Sequence, residues 1–120
     1  MRPESPNEGY LWDMRQAALE TMEYIEGISY ETFAATSMMR RAVERNLEII
    51  GEAARRIDVS FRGLHPEIPW TAIVGQRNVL AHEYGALDVE RIWVVASELL
   101  ETLVVQITAA LPPPPLNVSE

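Results

Sequence analysis

Apolar positions recur along most of the chain at three- and four-residue steps, the spacing that lines one face of an α-helix. In the first run, Leu11, Met14, Ala18, Met22 and Ile25 are interleaved with Asp13, Glu20, Glu23 and Glu26, and Gly27 follows, so an amphipathic helix is expected to end there. Ser29 has the side chain to cap a short helical turn through Phe33. A longer run from Ser37 to Ile57 carries Val43, Leu47, Ile50, Ala54 and Ile57 on one core stripe. Asp58 to Pro69, with Gly63, Pro66 and Pro69, reads as a connection, and Pro66 disfavours helix at His65, which is expected to be a loop residue. Pro69 or Trp70 opens the next helix, with Ile73, Val74 and Leu80 inward. Asp88 reads as the N-cap of a last long helix, with Glu90 in its favourable first turn and Ile92, Ala96, Leu99, Leu103, Ile107 and Ala110 as its stripe. Trp93, Val94, Val95, Leu100, Val104 and Val105 make that helix apolar well beyond one face, which suggests that part of it packs against a partner.

No period-two alternation, internal repeat or glycine-rich phosphate loop interrupts this pattern. The expected fold is all-α, a four- to five-helix up-and-down bundle spanning residues 9–111. A flexible arm at 1–8 and a proline-rich disordered tail at 112–120 flank it. At 120 residues the chain has the length of one domain with a single core.

Composition narrows the setting. There is no cysteine, so disulfides and thiolate chemistry are excluded and a reducing cytoplasm suits the chain. No unbroken run of eighteen apolar residues and no basic-then-apolar leader is present, so no membrane partner is expected. The net charge of −8 argues against indiscriminate coating of nucleic acid. Its distribution is uneven. Residues 1–39 set two arginines against seven acids (−5), 40–77 seven against five (+2), and 78–120 one against six (−5).

The basic middle holds a second stripe on the long helix: Arg41, Arg45, Glu48, Glu52 and Arg55. It reads either as a solvated face or as a polar seam that meets another helix across a pocket or a dimer axis. It leads toward Arg77-Asn78-Val79-Leu80-Ala81-His82-Glu83-Tyr84, which packs four chemically useful polar groups into eight residues. A histidine titrates near neutrality and an arginine fork matches phosphate, so the run points to phosphate chemistry. On one helix Arg77 and His82 stand about 140° apart. Either the helix breaks near His82 or a second copy completes the site. No Asp, Glu or His spacing reads as a metal site, and no cofactor is expected. The bland reading of the same residues has Arg77 paired with Glu48 or Glu52, His82 at a helix end and Tyr84 in the core.

The run resembles the R-x4-H-x-Y motif of the HEPN superfamily, in particular the HepT-like toxins of toxin–antitoxin pairs. Ala42 to Ala54 resembles that family's second block, and His65-Pro66-Glu67-Ile68-Pro69-Trp70 its approach to the motif. The likeness extends from about Leu11 to Leu111 and departs just after Tyr84, where Gly85-Ala86 stand in place of a common aromatic. It implies a ribonuclease that needs no metal, with RNA as substrate and a homodimer whose two copies line one cleft. Arg77 would stabilise charge, His82 transfer protons, and Asn78 orient the histidine or the phosphate. It also implies that an MntA-like nucleotidyltransferase antitoxin adds AMP to Tyr84. A different class of function, a non-catalytic nucleotide- or RNA-binding accessory subunit of a nucleotidyltransferase, stands as the alternative.

Overall fold

The computed structural model describes residues 6–75 and 86–112, with side chains from 7 to 75 and 89 to 112. Among them every regular element is helical. Helix α1 spans Pro6–Ile25, α2 Tyr30–Ala35, α3 Ser37–Arg55 and α4 Val59–Leu64. Residues 70–75 form the described part of α5. Helix α6, Ala86–Val94, runs through one π turn, Val95–Leu99, into α7, Leu100–Ala110. The fold is thus all-α, as expected, with three long helical runs and short helices between them.

Helix α1 lies at the centre. Asn7 meets Asp58 just past the end of α3, and Asn46 of α3 reaches Glu20, so α1 and α3 run antiparallel. The Arg15 side chain donates to the Thr108 hydroxyl of α7 (2.8 Å), so the last helix is antiparallel to α1 as well. Leu11, Met14 and Ala18 from α1, Val43, Leu47, Ile50 and Ala54 from α3, and Ile57 just beyond α3 are buried together, as their spacing predicts. Gly27, at φ +74°, takes the left-handed conformation that stops α1, and Ile28 N–H returns to the Ile25 carbonyl at 2.9 Å. The Ser29 hydroxyl accepts from Thr32 N–H at 3.1 Å and caps α2. Phe33 of α2 is wholly buried, its ring 5.1 Å from that of Trp93.

Several boundaries differ from expectation. Helix α1 begins at Pro6, so Asn7, assigned by sequence to the arm, is buried and accepts from Asp58 N–H at 3.1 Å. The connection after Ile57 contains a helix, α4, that buries none of its residues fully. Its Arg62 donates to the carbonyls of Ile57 and Arg55 (3.1 and 3.0 Å), satisfying acceptors that the end of α3 leaves open. The last helix begins at Ala86, two residues before Asp88, the expected cap.

The π turn produces the largest correction. Leu99, expected in the core, is 55% exposed, whereas Leu100 is 2% exposed. A π turn accommodates one extra residue, and each residue rotates the face by about 100°. The stripe therefore becomes Ile92, Ala96, Leu100, Leu103 and Ile107, all buried. Val94, Leu99 and Val105 face outward. Val89–Ala110 is long and apolar enough to cross a membrane by length and composition alone (mean hydropathy 1.5), and its inner stripe belongs to the core.

Candidate functional site

The described part of the candidate site is the outward face of α3 beside the start of α1. Because the core stripe of α3 faces chiefly α1, the polar stripe two residues out of phase with it is left at the rim of that interface. Glu52 is its hub. One Glu52 carboxylate oxygen accepts from Arg55 at 2.7 Å and from Arg56 Nε at 3.1 Å, a fork of two charge-assisted hydrogen bonds. Arg45 pairs with Glu48 one turn earlier, at 3.6 Å. The exposed Arg41 reaches the Ser37 hydroxyl at 3.5 Å.

Between α1 and α3 a cleft of about 600 Å³ opens over this face, with Arg45, Glu48 and Glu52 on one wall and Tyr10 and Asp13 on the other. Arg56 closes one end, and Ile49 and Ala53 supply apolar surface. Three of the five stripe residues expected from sequence therefore share one cleft, and Arg41 and Arg55 do not line it. Sequence reasoning missed Tyr10, Asp13 and Arg56. Tyr10 and Asp13 flank Leu11 and Met14 of the core stripe within the expected first helix, and nothing in the spacing says which neighbour that edge of the helix meets. Arg56 falls just after α3 ends.

Charge here is largely compensated within the face. Hydrogen bonds from Arg55 and then Arg56 hold the Glu52 carboxyl below its ordinary value. Glu52, and to a lesser extent Tyr10, hold the Arg56 guanidinium more firmly charged. For a carboxyl with a depressed folded value, the unfolded chain takes up the proton first as pH falls. Its stabilisation is complete above the unfolded value and disappears as pH falls through the folded one. Thermal unfolding followed from about pH 7 to about pH 3 is therefore expected to lose less stability for Glu52→Gln than for wild type. Identical acid limbs would contradict this role.

Arg77, Asn78, His82 and Tyr84 lie outside the described residues, as does Leu80. The segments on either side of them are anchored. Ile68 is buried, Trp70 Nε1 donates to the His65 carbonyl at 3.0 Å, and Gln106 of α7 donates to the Glu67 carbonyl at 2.8 Å. Ile73 and Val74 of α5 pack on the core. His65 is a loop residue, as its sequence context predicts. Its ring lies 4.6 Å from Phe61, and its Nδ1 is 3.2 Å from a Glu67 carboxylate oxygen. It fastens the approach to α5 and is absent from the cleft walls.

Comparison with known proteins places this arrangement in a family. The profile of the HepT-like ribonucleases (Ribonuclease HepT-like) matches residues 14–110. A candidate RNase of Methanocaldococcus jannaschii is 40% identical over 91 residues, covering 76% of this chain and 84% of that protein. A Thermococcus cleftensis protein named probable ribonuclease HepT is 37% identical over 97 residues, covering 81% of this chain and 88% of its own length. A candidate RNase of Caldanaerobacter subterraneus is 39% identical over 84 residues, with 70% and 75% covered. No solved structure matches the chain. The chain belongs to the HepT-like ribonuclease family.

Proposed function

We propose that this chain is an endoribonuclease that works without a metal, the toxin of a toxin–antitoxin module. The observation that carries the reading is the family match over residues 14–110, which spans the Arg77-x4-His82-x-Tyr84 run. RNA can be cut by its own 2′-hydroxyl. The 2′-oxygen loses its proton and bonds to phosphorus, the bond to the 5′-oxygen breaks, and that oxygen leaves with a proton. A cyclic phosphate and a 5′-hydroxyl result. His82 moves the proton, Arg77 meets the charge that grows on the phosphoryl oxygens, and Asn78 holds His82 or the phosphate in line. The angle of about 140° between Arg77 and His82 on one helix is resolved at a two-fold axis, with Arg77 of one protomer beside His82 of the other. The α3 seam, with Arg45, Glu48 and Glu52 in the cleft and Arg41 beyond it, forms the supporting polar wall.

Tyr84 is the control point in this reading. An adenylyl group on its phenolic oxygen places a phosphate and bulk where an RNA phosphate must sit. The chain co-expressed with a neighbouring nucleotidyltransferase is expected to gain mass at Tyr84 and to stop cutting RNA. Under the same co-expression, Tyr84→Phe stays unmodified and active. Modification at a different residue, or full cleavage by modified protein, would contradict the assignment.

A further inference from the structure

A second groove lies away from the α3 cleft, along the seam between the C-terminal half of α1 and the junction of α6 with the π turn. It encloses about 680 Å³. Leu19, Met22 and Trp93 give it an apolar floor, each only partly covered by the rest of the chain. Glu20, Glu23 and Glu26 line one edge and Glu101 the other, and no arginine, lysine or histidine lines it. Among the described residues none of these four carboxylates has an ion-pair partner; Glu20 accepts only long hydrogen bonds, from Tyr24 and Asn46, both at 3.5 Å.

Two antiparallel helices leave between them a channel one helix wide, the place where a third helix packs in a bundle. From Gln16 to Glu26 this channel runs about 15 Å, three turns of helix. The π turn widens the backbone on one side of it, where Ala96 and Ser97 line the groove, in keeping with the frequent placement of such turns at functional sites. Charge then selects the occupant. Nucleic acid and anionic lipid are repelled by four carboxylates, and an uncharged helix would strip water from them without compensation. A helix with apolar residues on one face and arginine or lysine along both flanks satisfies floor and edges together.

We propose that this groove docks a basic amphipathic helix of a partner protein. The proposal does not depend on the cleavage reading. A labelled synthetic peptide with leucines at i, i+3, i+4 and i+7 and flanking arginines serves as the probe. A scrambled peptide of the same composition serves as its control, and binding is read by fluorescence anisotropy. Wild type is expected to bind the patterned peptide at least ~10-fold more tightly than the scrambled one. Glu23→Arg with Glu101→Arg should weaken that binding about 10-fold or more. Glu31→Arg with Glu98→Arg, at exposed positions outside the groove, makes the same change in net charge and should weaken it less than about 3-fold. Equal losses in the two variants, equal binding of both peptides, or no saturable binding would overturn the proposal. So would a groove variant that alone lowers the sedimenting mass, since the occupant would then be a second copy of this chain.

Discussion

His82→Ala is expected to lower RNA cleavage by about 10²–10⁴-fold, the range for removing a positioned proton-transfer group, and to abolish growth inhibition while leaving the sedimenting mass of the protein unchanged. In this account, what is lost is the deprotonation of the 2′-oxygen or the protonation of the 5′-oxygen, and no other group in the run titrates near neutrality. Arg77→Ala should cost a comparable factor by a different route, since it removes charge stabilisation rather than proton transfer. The pair allows a sharper test. If each cleft joins Arg77 of one protomer with His82 of the other, neither variant acts alone. A mixed dimer then regains one intact cleft, and an equimolar, re-equilibrated mixture recovers roughly a quarter of wild-type activity. A mixture that stays inactive would place both residues of a cleft on the same protomer.

The largest stability effect is expected at the π turn. Leu100→Ala should destabilise the fold by about 2–4 kcal/mol, because it opens a cavity beneath a wholly packed leucine, while Leu99→Ala should change stability by less than about 0.5 kcal/mol. For a domain of this size the first corresponds to a fall in Tm on the order of 10 °C. On a continuous α-helix Leu99 and Leu100 stand about equally far, roughly 50°, from the stripe of Ile92, Ala96, Leu103 and Ile107, so comparable losses would follow. Thermal unfolding of the two variants at the same low protein concentration separates the two registers, and an equal or larger loss at Leu99 would contradict the π turn.

That reversal shows what apolar spacing alone conveys. On α1 and α3 the stripes alternate with charge, so only one helical phase buries the apolar set, and Leu11, Met14, Val43, Leu47 and Ile50 are all buried. In the last helix Leu99 and Leu100 are both leucine and their neighbours are apolar on several faces, so two phases satisfy the pattern. The choice is made by packing against α1, a tertiary effect. Helix α4 was hidden for a related reason. It contributes no fully buried residue, and the signals near it, Gly63 and Pro66, are those of a turn. What it supplies, the Arg62 guanidinium against the end of α3, is a side-chain cap from across a bend that spacing does not register.

The site divides in the same way. The seam from Arg45 to Glu52 was legible, because charged positions four and three apart must share a helix face. Its opposite wall, Tyr10 and Asp13, depended on how α1 packs on α3. The motif from Arg77 to Tyr84 was legible as chemistry, from the pairing of a permanent cation with a group that titrates near neutrality. Its role rests on that chemistry and on family membership.

The central claim is that this chain cuts RNA with its own side chains. The most direct test is incubation of the purified, unmodified protein with cellular RNA in EDTA, followed by analysis of the new ends. The account predicts fragments ending in 2′,3′-cyclic phosphate and beginning with 5′-hydroxyl, absent when His82→Ala replaces wild type. RNA that stays intact while binding the protein saturably would contradict it and identify the chain as a non-catalytic binding subunit.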